Sequence, residues 1–182
     1  RITVHAACDG LVAGKASLKT KRATLPVLPD GTHQVFGGDE EDGAVQKVSG
    51  WEKEILAKTP IPIAKVDVAS SHSMYPAHNL TDGNDRSWWI AGDDKTPQVV
   101  TLSLNDITYV TACRIMFQKD SSSYLHKVET STDGVHWQLL FERECTGWEF
   151  KPVRVKRKIR HLRITIERVS EGLPGMAEVT LF

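Results

Sequence analysis

From Ile63 to the C-terminus the chain is written in short alternating segments, and that pattern limits its fold more than any other feature. The segments are Ala64–Ser70, Val99–Leu104, Cys113–Phe117, His126–Ser131, Trp137–Phe141, Val153–Val155, Leu162–Ile166 and Ala177–Phe182, with turn clusters between them. Val, Ile, Thr and aromatic residues dominate them, as half-buried pleated strands require. No stretch sustains a helical period. Short antiparallel strands joined by turns have two economical solutions, a sandwich or a jelly roll. The expected class for residues 64–182 is therefore all-β.

The rest of the chain adds bounds. With 182 residues, of which 40% are hydrophobic, it is an ordinary globular chain. Basic and acidic residues balance at 23 each, so no whole-chain field draws nucleic acid or an anionic membrane. The longest apolar run, Trp88–Ala91, is far too short for a membrane helix, and no transmembrane segment is expected. Cys8, Cys113 and Cys145 form no C-x-x-C pair. A Cys113–Cys145 disulfide is one arrangement; buried free thiols are the expected one, since free Cys is usually buried.

Residues 1–22 read as a hairpin, with Arg1–Ala6 and Ala16–Lys21 alternating on either side of Asp9-Gly10. Two strands alone are not a stable domain, and the chain begins at Arg1 without a signal-peptide pattern. It is expected to be a piece of a longer protein. Residues 23–63 are punctuated by Pro and Gly every few positions and are expected to be a linker, ordered in part by docking Val35, Phe36, Trp51 and Ile55 on a neighbour. The acidic run Asp39–Gly43 lacks the spaced ligands of an EF-hand and is expected to be a solvated loop.

Three patterns in order carry a family resemblance: Ala77-His-Asn79-Leu-Thr-Asp82-Gly83-Asn84-Asp-Arg-Ser87-Trp88-Trp89, then Ser131-Thr-Asp133-Gly134-Val-His-Trp137, then Met176-Ala177-Glu178-Val-Thr-Leu-Phe182. Residues 64–182 resemble the discoidin, or coagulation-factor (F5/8) type C, superfamily, which includes the family 32 carbohydrate-binding modules. The resemblance implies a jelly-roll β-sandwich of the galactose-binding-domain type. It also implies a structural calcium ion. Asn79, Asn84, Ser87 and Ala177 would give main-chain carbonyls, and Asp82, Ser87 and Glu178 side-chain oxygens. Ser87 stands where the family usually has Thr and keeps the hydroxyl. The residue chemistry agrees, because calcium takes six to eight oxygens and a tight Asp-Gly turn aims carbonyls inward. Trp137, after the second Asp-Gly turn, is expected to bury its ring in the core.

A pyranose needs an aromatic face and a few fixed polar groups. The loop candidates are Trp88, Gln118, Lys119, Asp120, Tyr124 and Trp148. Galactose binders in the family often carry a His after the first motif's Trp and an Arg at the end of the strand before the second. Here Ile90 follows Trp89, and Gln118 or Lys119 takes the strand end. Between 151 and 168, Lys151, Arg154, Lys156, Arg157, Lys158, Arg160, Arg163 and Arg168 face a single acid, Glu167. Such a stretch is either a solvated face or a holder of anionic glycan or lipid surfaces.

Arg1–Leu11 with Ala16–Lys21 resembles the closing hairpin of an immunoglobulin-like domain, of the kind found late in glycoside hydrolase family 2 enzymes such as bacterial β-galactosidases. That resemblance implies upstream catalytic domains on a bacterial parent in the periplasm, at the cell surface or secreted. No carboxylate pair, G-x-S-x-G, H-E-x-x-H or P-loop marks catalysis in this chain. The expected role is a non-catalytic, glycan-binding C-terminal module, or a buttress for the parent enzyme that binds no ligand.

Overall fold

A computed structural model describes residues 2–6, 14–18, 49–147, 149 and 151–182. Cys8, Val35, Phe36, the 39–43 run and Trp148 lie outside the described residues. The chain divides into two compact units, Arg1–Glu41 and Asp42–Phe182. In the first, strands β1 (Ile2–Ala6) and β2 (Gly14–Leu18) pair antiparallel, Ile2 opposite Leu18 and Ala6 opposite Gly14.

The second unit contains helix α1 (Gly50–Leu56) and strands β3 (Lys65–Val68), β4 (Trp89–Ile90), β5 (Gln98–Phe117), β6 (Ser123–Ser131), β7 (Gln138–Thr146), β8 (Val153–Val169) and β9 (Gly175–Leu181). Strands β5 and β8 are long enough to serve two layers. Residues 98–103 of β5 pair with 161–166 of β8, and a register shift separates them from the 108–113 and 153–159 pairing. One layer runs β3, β5, β8, β6, β7; the other runs β8, β5, β9, β4. This is an antiparallel jelly-roll β-sandwich. Val99–Leu104 and Cys113–Phe117, separate in the sequence pattern, are thus two halves of one strand, as are Val153–Val155 and Leu162–Ile166.

The core follows from the alternation. Val100, Leu102, Val110, Val128, Leu162, Ile164 and Ile166 are fully or almost fully buried, each large aliphatic side chain contributing about 1.5–3 kcal/mol. Trp89 is also buried, and its indole N–H donates to the Ser70 carbonyl at 3.1 Å. Cys113 and Cys145 are buried free thiols. Burial pushes the Cys113 thiol up to about 12 and that of Cys145 to about 11, so both stay protonated.

Helix α1 lies within the span expected to be a linker. Its start is set by a capping box: Ser49 Oγ accepts from Glu52 N at 3.2 Å, and Glu52 Oε2 accepts from Ser49 N at 2.5 Å. Ile55, 2% exposed, packs with Ala112 and Phe182, and Trp51 joins them under the Arg154 guanidinium, 4.1 Å from its ring centre. Ser49→Ala is expected to lower stability by about 1 kcal/mol in urea melts, with Ser49→Gly losing only a fraction of that.

Candidate functional site

The segment after the 3-10 turn Ala77–Thr81 closes on itself through oxygen atoms. Asp82 Oδ1 accepts from Asn84 N at 2.9 Å, and Asp82 Oδ2 accepts from Ser87 Oγ at 2.7 Å. Ser87 Oγ also lies 2.9 Å from the Asn84 carbonyl. Gly83 has φ 76°, a left-handed conformation open to glycine. Asn79 is engaged elsewhere, its Nδ2 donating to the Trp88 carbonyl at 3.0 Å.

The 3-10 turn packs on β9, which brings Glu178 to this segment. Glu178 is 6% exposed, and its Oε2 is buried without a hydrogen-bond partner. Burial first, then the charge of Asp82, pushes its carboxyl up to about 7; Arg114 and the Gly83 N–H pull the other way and Asp85 adds to the rise. Arg114 forms no ion pair with it among the described residues, and reaches Thr180 Oγ1 at 3.5 Å instead. Ala177, the remaining predicted donor, is 5% exposed beside Glu178. Among the described residues no three of His, Cys, Asp and Glu gather. What does gather is two carboxylates, one hydroxyl and carbonyl-bearing turns, a set suited to a hard cation.

The rim where β5 ends at Phe117 carries most of the remaining sequence candidates. Gly147 packs so closely on the Lys119 backbone that an added Cβ would collide with the Lys119 carbonyl. Gln118 N donates to the Gly175 carbonyl at 3.1 Å, and Lys119 Nζ pairs with Glu171 at 2.9 Å. Asp120 is exposed and accepts from Ser121 N at 2.7 Å. Trp88 is half-buried and stacks on Tyr75 at 6.3 Å and 23°; Tyr75 in turn sits 5.3 Å from His72. The Tyr75 and His72 rings were not among the sequence candidates. Their only sequence signal is aromatic character in a turn cluster preceding the first motif.

Two expectations are corrected. Tyr124 is not a loop residue: it is fully buried, stacks on Phe117 at 4.2 Å, and its hydroxyl accepts from Lys119 N at 3.0 Å. It supports the rim from beneath. Trp137 is not in the core. The Ser131–His136 turn is locked by Ser131 Oγ and Asp133 Oδ1, which between them accept four backbone N–H groups at 2.8–3.2 Å. Hydrogen bonding from His136 holds the Asp133 carboxyl well below its usual range. That turn lays Trp137 half-exposed on the sheet, its indole N–H on the Gly134 carbonyl at 3.1 Å and the Arg163 guanidinium 4.1 Å from its ring centre.

Fold and site together define a jelly-roll module with an oxygen-rich turn tied to its last strand. The F5/8 type C domain matches residues 65–179, more than half the chain, and the chain belongs to that family. No curated protein matches it significantly. Among solved structures it is similar to a glycoside hydrolase (TM-score 0.61, 20% identity), covering 69% of this chain and 32% of that one, so it spans about a third of that enzyme. It is also similar to the CBM32 of AlyQ in complex with 4,5-unsaturated mannuronic acid (TM-score 0.60, 18% identity, 69% of this chain and 98% of that one). A third is the family 32 module of Clostridium perfringens NanJ in complex with galactose (TM-score 0.58, 20% identity, 64% and 91%). At these identities the likeness is one of fold. Among the described residues no helix is long and apolar enough to cross a membrane.

Proposed function

We propose that the second unit is a non-catalytic carbohydrate-binding module carried by a larger glycoside hydrolase of the family 2, β-galactosidase-like kind, whose upstream domains do the chemistry. The observation that carries this reading is the rim: Gln118, Lys119 and Asp120 are fixed by backbone contacts and an ion pair, and Gln118 bonds Gly175, the register partner of Ile90 two residues after the half-buried Trp88, on a fold shared with sugar-bound modules. Fixed polar groups beside an aromatic surface are what a pyranose requires. Trp88 presents the ring; Gln118, Lys119 and Asp120 present the donors and acceptors.

Calcium is the cation that suits the neighbouring segment. Asp82, Ser87 and Glu178 would hold it by side chains, and Asn79, Asn84, Ser87 and Ala177 by carbonyls. The orphaned Glu178 Oε2 supports this fit, since a buried carboxylate oxygen without a partner is costly. The ion would neutralise the Asp82–Glu178 repulsion and tie β9 to the first motif.

A glycan array at low and high salt tests the binding reading. Retention of a neutral glycan in high salt is expected, with Gln118→Ala weakening it by about tenfold. Absence of binding to any neutral glycan would point to the buttress role instead.

A further inference from the structure

On the outer face of the sandwich, away from the rim, lies a groove of about 520 Å³ built from β3, β5, β8 and the β6–β7 turn. Trp137 forms one side, and Asp67, Thr101, Ser103, Asn105 and Arg160 supply polar groups along it. His161, also lining it, is held by Ser103 Oγ at 2.9 Å. Most charges nearby are matched. Lys65 pairs with Asp67 at 2.6 Å and Arg163 with Glu129 at 2.9 Å. Arg160 is exposed and has no acidic partner among the described residues.

Arg160 also ends a row. Along β8, Val155 and Ile159 point into the core while Lys156, Lys158 and Arg160 are exposed. Lys156 has φ 48°, and the β5–β8 register shifts beside it and again between Ile159 and His161, so the three cations follow one another along an irregular stretch of strand. Lys156 and Lys158 likewise have no acidic partner among the described residues. Tyr109, opposite Lys158 in the register, is 55% exposed. The row therefore offers three exposed cations leading from the groove, with Trp137 at the Arg160 end and Tyr109 beside the middle cation, Lys158.

We infer that the groove and this row form a second ligand surface, separate from the rim, for an acidic polysaccharide bearing carboxylates on its sugar rings. The Trp137 ring takes the apolar face of one sugar, and Thr101, Ser103 and Asn105 take hydroxyls. Arg160, Lys158 and Lys156 take successive carboxylates. A flat bilayer does not enter a groove lined by an indole and hydroxyl groups, so a polymer of sugars suits this chemistry better than a membrane. Cations on an edge strand also discourage sheet-to-sheet aggregation, which accounts for the charges but not for the half-exposed indole and the polar groove beside them.

The test is a titration of the full 15N-labelled chain with a galacturonate oligosaccharide, following the Trp137 indole N–H. A neutral galactose oligosaccharide and phosphatidylserine vesicles run in parallel. The uronate is expected to shift the Trp137 signal and to lose about tenfold in affinity as salt rises well past physiological strength. Trp137→Ala should weaken binding by about tenfold. Arg160→Gln and the Lys156→Gln/Lys158→Gln pair, which leave the fold alone, should each weaken it by at least about threefold. Gln118→Ala should leave uronate binding unchanged, which separates this surface from the rim. The inference is overturned if the uronate shifts only rim signals, if the charge variants bind as the wild type does, or if vesicles but not the uronate perturb Trp137.

Discussion

Adding calcium to chelator-treated protein at pH 8 raises its melting temperature, and Glu178→Gln removes that gain while leaving the calcium-free chain at least as stable as the wild type. The second half of this result is the discriminating one. Glu178 is 6% exposed, one of its oxygens has no partner, and the Asp82 carboxylate works against its ionisation. Above pH 7 the folded, ion-free chain must carry that charge where it is badly solvated, whereas glutamine carries none. Removing the charge should therefore add about 1–3 kcal/mol without calcium. With calcium at about a hundred times its dissociation constant, the wild type gains about 2.7 kcal/mol. In a chain of this size that corresponds to roughly 5–10 °C. Asp82→Ala should lose the same calcium response; it also leaves the N–H of Asn84 without its acceptor and the hydroxyl of Ser87 with the Asn84 carbonyl alone. Identical melts with and without calcium after verified metal removal would rule the ion out. A large calcium-free loss in Glu178→Gln would mean that the carboxylate is held by protein contacts rather than waiting for a cation.

The all-β class and the oxygen-bearing turn were legible in sequence because both depend on local chemistry. Alternation reports which side of a strand is buried, and Asp82-Gly83 is a turn by composition. What the pattern did not show was continuity. Asn105, Asp106 and Ile107 are exposed and read as a loop, yet β5 passes through them and resumes pairing after its register shift. The same holds for β8, where alternate exposed cations interrupt the apolar signal. Helix α1 is seven residues long, too short for a helical period to rise above the surrounding Gly and Pro. Its one reliable sign was the Ser49-x-x-Glu52 spacing.

Side-chain direction was the harder quantity at the aromatic positions. Tyr124 follows three serines and suggests a loop, but β6 already begins at Ser123 and turns the ring inward onto Phe117. Trp137 precedes β7, and the Asp133-centred turn rather than strand alternation decides that it lies on the surface. Neither outcome follows from hydrophobicity, because a tryptophan suits a core and a wet groove alike. The groove beside Trp137 was invisible for a further reason: its walls come from β3, β5, β8 and a turn, segments brought together only by the sheet order.

The His126 ring makes acid stability a measurable property of the core. It is fully buried among Phe117, Phe141 and Tyr124, with Nδ1 3.2 Å from the Tyr124 carbonyl and Nε2 without a partner. Burial, with the Arg143 charge adding to it, brings its pKa down from 6.5 to about 4, against a weaker opposing effect of the Tyr124 carbonyl. The unfolded chain thus takes up a proton in a range where the folded chain does not. The stability this preserves is fully present above pH 6.5 and is lost as pH falls through about 4; the shift corresponds to about 3 kcal/mol. Glu178 acts with the opposite sign over an overlapping range. Its raised folded pKa favours the folded state at low pH, and that contribution disappears as pH rises through about 7. In the wild type the two largely offset each other, so a flat pH profile alone would be uninformative. The Glu178→Gln background removes the opposing effect. Urea melts of that variant at pH 7.5 and 4.5 should differ by about 2–3 kcal/mol, and adding His126→Leu should remove most of the difference. A difference unchanged by His126→Leu would place the acid sensitivity in surface carboxylates. A rise in stability toward pH 4.5 would show that the ring accepts a proton while folded.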